Sequence, residues 1–135
     1  MLFRSRLEGR QVLLQELIDA CNRDDPAHCL IIEGAGGFYS PLAEDGLNAD
    51  LACAVQLPVI IVVDDRVGAV NQALMTLQAV SSRQLRVAAV IFNQVAAQSD
   101  SAMDNAADIA AYCNSPVFRC AHGAALAPIF ASCDA

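Results

Sequence analysis

Lysine is absent from this 135-residue sequence, and so is tryptophan. The first absence removes the compact ammonium that glycine-rich phosphate loops use, and no GxxxxGK[ST] stretch occurs either. Eight arginines face fifteen acidic residues, for a formal net charge of -7, and only Arg4, Arg6 and Arg10 form even a loose cluster. Without a basic patch the chain is a poor match for nucleic acid or for an anionic membrane surface. The apolar runs fall far short of the roughly 20 residues needed to cross a bilayer. Arg4, Arg6, Glu8 and Arg10 interrupt any apolar start, so no signal peptide is expected. HExxH, zinc-knuckle and nucleophile-elbow patterns are missing as well. Cys21, Cys29, Cys53, Cys113, Cys120 and Cys133 include no CxxC pair. Buried free thiols are therefore expected, in a soluble, cytoplasmic protein.

What is present is apolar. The hydrophobic fraction is 56% and the charged fraction only 17%, against about 45–50% and about 25% in ordinary globular domains. Much of the excess is alanine, which suits helices packed closely on a sheet. So little surface charge points to a covered surface, for which a homodimer is the simplest choice. The length fits one domain.

Along the chain, helical and extended patterns alternate. Ser5 and Glu8 have capping-box spacing, and Leu14, Leu17, Ile18 and Cys21 recur at helical spacing, which predicts a helix from about 6 to 22 within a helical lead-in over 1–28. Cys29-Leu30-Ile31-Ile32 reads as a strand buried on both faces, and a short helix is expected over about 48–56. Val59–Val63 is dense in β-branched residues and gives the clearest strand signal. A helix over about 69–82, a strand over Val87–Phe92 ending at Asn93, a helix from Asp100 or Ser101 to about Cys113 and a strand over Pro116–Arg119 follow. A last helix over about 123–132 is limited by Pro128. This alternation predicts an α/β fold: three layers, a mostly parallel sheet and helices on both faces.

In open α/β sheets, ligands bind beyond the carboxyl ends of the strands. Those ends are expected at Glu33–Gly37, Asp64–Gly68, Asn93-Gln94 and Arg119–Gly123. Glu33, followed by Gly34, Ala35, Gly36 and Gly37, is either a solvated acid at a turn or a hard oxygen ligand for magnesium beside amides that hold an anion. Asn93 is either a turn former or a donor–acceptor pair matched to a purine edge. Asn71, in the first turn of a helix, is either a plain helix-start residue or part of an anion site. Asp64 and Asp65 are expected to be solvated, with Arg66 as local counter-charge. Of the two histidines, His122 lies on the expected rim, as an ordinary loop residue.

Three segments, in order, resemble dethiobiotin synthetase: Ile31-Ile32-Glu33-Gly34-Ala35-Gly36-Gly37-Phe38-Tyr39-Ser40-Pro41-Leu42, Leu57–Val63 continued through Asn71 to Leu77, and Val87–Asn93. The likeness is to the carboxyl-terminal half of that family and implies a truncated P-loop NTPase fold. It implies ATP and magnesium as cofactors in closing a ureido ring on diaminopelargonic acid. In those terms Glu33 holds magnesium as the catalytic acid, Gly34, Ala35, Gly36, Gly37 and Asn71 meet the substrate, and Asn93 contacts adenine. The family's phosphate loop and catalytic lysines have no counterpart in this sequence, and Gln72 stands where the family usually has histidine. The chain is accordingly expected to be inactive alone, and a separately encoded phosphate-loop chain is one candidate partner. The alternative is a non-catalytic small-ligand-binding or regulatory domain that keeps the fold.

Overall fold

The computed structural model describes Ser5 and residues 7–22, 30–96 and 103–124. These fall into two compact units, Met1–Leu57 and Pro58–Ala135. The helix ends expected at Asp100, Ser101 and beyond Gly123 lie outside the described residues.

In the first unit, α1 (Leu14–Cys21) packs on α2 (Asn48–Val55). Leu14, Leu17, Ile18 and Cys21 are its half-buried positions, as their spacing predicts. Between the helices lies a two-stranded antiparallel pair, β1 (Pro41–Ala43) and β2 (Gly46–Leu47). The Leu14 side chain sits over Gly46, where an added Cβ would stand 2.9 Å from a leucine methyl. The Leu14 amide donates to Asp45 Oδ1 at 2.8 Å, and the Glu44 amide donates to the Val12 carbonyl at 3.0 Å. These bonds fasten the hairpin turn to the start of α1. Leu42, Ala43, Ala49 and Leu51 form the buried part of this unit.

Two expectations fail here. The helix is shorter than the span from 6 to 22, and Leu30-Ile31-Ile32 is not a strand. Leu30 is 45% and Ile31 68% exposed. A strand exists only where a ladder partner satisfies its backbone, and among the described residues this run has none.

The second unit carries the parallel sheet flanked by helices that the sequence predicts. Its strands are β3 (Val59–Asp64), β4 (Val87–Asn93) and β5 (Val117–Cys120), in the order β3-β4-β5. The register aligns Asp64 with Asn93 and Asn93 with Cys120, so three strand ends finish level. Two crossover helices, α3 (Ala69–Ser82) and α4 (Asn105–Ala110), contact the sheet and each other. Ala69 and Ala73 are fully buried on α3, where small side chains allow close approach. On the strands, Ile61, Val63, Val90 and Phe92 alternate along one face and are all buried. On the other face Ile60 and Phe118 pack against buried Ile91 and Cys120, while Val62 remains 60% exposed.

Cys120 is buried and Cys21, Cys53 and Cys113 are half-buried, all as free thiols. No helix among the described residues is long and apolar enough to cross a membrane.

Ile109 is fully buried on α4, a helix of only six residues. Its packing, rather than helix propensity, holds so short an element in place. Ile109→Ala is expected to cost about 2–5 kcal/mol, read as a lower urea midpoint at unchanged slope.

Candidate functional site

Glu33 follows the exposed Leu30–Ile32 run. Its carboxylate is solvent-exposed and has no hydrogen-bond or ion-pair partner among the described residues. No cluster of three or more His, Cys, Asp or Glu side chains that would hold a metal is present among them. A magnesium ion nevertheless fits a lone carboxylate, because it keeps several waters and takes one or two carboxylates together with substrate phosphates. Glu33 is the residue of this chain that would hold it. Magnesium bound there would neutralise phosphate charge.

The loop after Glu33 is laid across the start of α2. The Asn48 amide donates to the Ser40 carbonyl at 3.0 Å, and the Ala49 amide to the Phe38 carbonyl at 2.9 Å. The loop thereby satisfies amides that a helix start leaves without intrahelical partners. Asp50 completes the end by accepting the Leu47 amide at 2.9 Å. Within the loop, Ser40 bonds twice to Gly37: its amide donates to the Gly37 carbonyl at 2.8 Å, and its Oγ accepts the Gly37 amide at 2.9 Å. Gly36 has φ +80°, in the left-handed region that glycine enters at little cost. The amides of Gly34, Ala35 and Gly36 donate to nothing among the described residues, and all three residues are exposed. They form a short row of available donors beside Glu33.

In the second unit the ends of β3, β4 and β5 form the rim. Asn93 ends β4 with its side-chain amide free of partners among the described residues. Its backbone is held from both sides: the Asp65 amide donates to the Asn93 carbonyl at 2.9 Å, and the Gln94 amide donates to the Cys120 carbonyl at 2.9 Å. Asn71 is exposed in the first turn of α3, with Nδ2 3.6 Å from Met75 Sδ. That long sulfur contact leaves the amide available to a ligand. His122 lies in an exposed turn.

The two adjacent acids differ sharply, and one of them corrects the sequence reading. Asp64 meets Arg66 at 3.2 Å in a largely exposed pair, as expected. Asp65 is not solvated: its side chain is 3% exposed. Arg119 Nε donates to its Oδ2 at 3.1 Å, and Asn105 Nδ2 donates to its Oδ1 at 2.7 Å. Asn105 also donates to the Arg66 carbonyl at 3.2 Å. Asp65, the first residue past β3, is turned to these partners, while Asp64 stays at the surface with Arg66. The sequence reading missed Asn105 and Arg119 as its partners. It also missed Asn48, whose side chain lies under the glycine loop. An asparagine at a helix start carries no local mark of such roles.

Neither rim arginine is an unpaired cation, since Arg66 is matched by Asp64 and Arg119 by Asp65. Asp65→Ala would leave the buried Asn105 amide only its longer bond to the Arg66 carbonyl and Arg119 without its acid, and is expected to cost about 1–3 kcal/mol. Asp64→Ala, which removes an exposed pair, is expected to stay within about 0.5 kcal/mol. Urea titration of the two variants checks the contrast.

Comparison with known proteins bears out the resemblance. An ATP-dependent dethiobiotin synthetase from Vesicomyosocius okutanii is 41% identical over 91 residues, which are 67% of this chain and 41% of that protein. The ATP-dependent dethiobiotin synthetase of Bacillus subtilis (strain 168) is 38% identical over 96 residues, 70% of this chain and 42% of that protein. One from Anaeromyxobacter sp. (strain Fw109-5) is 36% identical over 121 residues, 87% of this chain and 54% of that protein. The chain thus spans about half the length of the curated relatives it matches. A family model described as an AAA domain matches residues 2–121. With that match, and with a parallel sheet flanked by helices, the chain belongs to this AAA domain family of P-loop NTPases.

Proposed function

We propose that this chain is a dethiobiotin synthetase-like component, supplying the magnesium carboxylate, the substrate loop and the adenine contact for ATP-dependent ureido ring closure on diaminopelargonic acid. The observation that carries this is the pairing of an exposed Glu33 with the unbonded amides of Gly34, Ala35 and Gly36, in a chain similar to ATP-dependent dethiobiotin synthetases. In the reaction so assigned, carbon dioxide adds to one amine of the substrate to give a carbamate. The carbamate oxygen takes the γ-phosphoryl group of ATP, and the neighbouring amine attacks the activated carbon. The ring closes, phosphate leaves and the attacking nitrogen gives up its proton.

This chain's residues divide the labour. The Gly34, Ala35 and Gly36 amides face a substrate oxyanion, to which preorganised donors offer stabilisation without reorganisation. Asn71 meets the substrate carboxylate near the start of α3, where free amides favour negative charge. Asn93 offers a donor and an acceptor to the adenine edge. The grip on the nucleotide phosphates comes from outside these residues, because the rim cations Arg66 and Arg119 are each matched by an acid. A phosphate-loop segment outside these residues supplies that grip. Self-association as a homodimer also belongs to this proposal, since Val67 is 79% and Met75 64% exposed on the two sides of Asn71 in sequence. A cytoplasmic setting belongs to it as well.

Calorimetric titration of magnesium-ATP tests the division. The chain alone is expected to bind it no more tightly than it binds inorganic phosphate. Mixed with a polypeptide carrying the part of the Bacillus subtilis relative outside the matched segment, it is expected to bind, and Asn93→Ala to weaken that binding roughly tenfold. Tight binding by the chain alone overturns the need for a phosphate-loop partner. Silence in the mixture overturns the nucleotide role.

A further inference from the structure

The Asn48 side chain is the least ordinary polar group in the first unit. Its Nδ2 donates to the carbonyls of Ala35 at 2.9 Å, Gly37 at 3.0 Å and Ser40 at 3.3 Å. An amide nitrogen has two hydrogens, so one of them is shared between two carbonyls. Its Oδ1 is buried and accepts no hydrogen bond. The orientation is nonetheless settled by charge, since turning the amide over would set that oxygen against three carbonyl oxygens. Oδ1 lies against Gly34 instead, where an added Cβ would stand 2.6 Å from it. One side chain therefore does two things: it draws three loop carbonyls inward, and it fills the space beside position 34, so that a Cβ there would displace it.

We propose that Asn48 is a positioning residue for the glycine loop, holding the Ala35, Gly37 and Ser40 carbonyls inward so that the Gly36 amide faces outward to an oxyanion. The proposal rests on the loop's assignment to the substrate side and adds the element that orients it. Carbonyl and amide point in opposite directions across each peptide plane, so holding the Ala35 carbonyl inward turns the Gly36 amide, its partner in that plane, outward. An unsatisfied buried acceptor costs about 1–3 kcal/mol, which a purely structural asparagine at an otherwise well-formed helix start does not require. Leu47 already returns its amide to Asp50, and the amides of Asn48 and Ala49 are bonded without help from the Asn48 side chain. Three amides of the helix start are therefore satisfied without it, and what the side chain adds is the conformation of the loop.

The test uses the full chain and follows backbone amide resonances as inorganic phosphate is added in the presence of magnesium. In the parent protein the Ala35 and Gly36 amides are expected to shift saturably. In Asn48→Ala the half-saturating phosphate concentration is expected to rise roughly tenfold, while the amides of Val59–Asp64 keep their positions. Gly34→Ala is expected to do the same, because its Cβ displaces Asn48. The double variant Gly34→Ala/Asn48→Ala is expected to be no worse than either one, since both act through one contact. If Asn48→Ala does not fold, Asn48→Ser carries the test: its hydroxyl serves one carbonyl at most and leaves an intermediate response. Loop amides of the parent protein that ignore phosphate overturn the substrate-side assignment and the proposal with it. A parent loop that responds, beside an Asn48 variant that responds equally or a double variant whose losses add, overturns the role of Asn48 alone.

Discussion

A loop that crosses the start of a helix can present either its carbonyls or its amides to that helix, and the choice settles what it offers to solvent. Helix α2 opens with amides that need acceptors, so the loop turns carbonyls toward it. Phe38 and Ser40 supply two of them, and the Asn48 side chain gathers those of Ala35, Gly37 and Ser40. The outward Gly36 amide, which shares a peptide plane with the Ala35 carbonyl, follows from that geometry. Glycine at 36 permits the left-handed turn, and glycine at 34 leaves room for Asn48. The sequence pattern and the geometry thus have one origin, the need of a buried helix end for acceptors.

The rim of the parallel sheet follows a different constraint. Its acids and arginines are matched within the chain, Asp64 with Arg66 and Asp65 with Arg119. Charge matching stabilises the strand ends and holds Asn93 in place through its backbone. It also removes the positive potential on which phosphate binding depends. A rim built this way suits the base end of a nucleotide better than its phosphates.

Much of this fold was legible in the sequence, and the failures share a cause. The β-branched run of β3, the helical spacing of α3 and the apolar run of β4 are local signals, and all three elements stand where the residues placed them. Leu30–Ile32 has an equally apolar pattern and is not a strand, because strand formation depends on a neighbour the local pattern does not encode. The short β1–β2 pair left no mark in the sequence, its strands being only three and two residues long. The burial of Asp65 was illegible for the same reason: its partners lie 40 and 54 residues away, at Asn105 and Arg119. Asn93 ends β4 where its segment was expected to end, whereas Glu33 follows an exposed run that is no strand, and the residues that hold the surroundings of both were silent.

Among the described residues of the second unit, β3 has a ladder on one side only, with β4. Its other margin is a row of backbone donors and acceptors along Val59-Ile60-Ile61-Val62-Val63, five apolar residues without a charge, a proline or a glycine to blunt it. Such a margin is a template for any extended segment that comes near. The handling of this polypeptide in concentrated solution will therefore be governed by what caps that margin: a strand of matching length would quiet it, and bare contact between molecules would drive fibrous or amorphous precipitation.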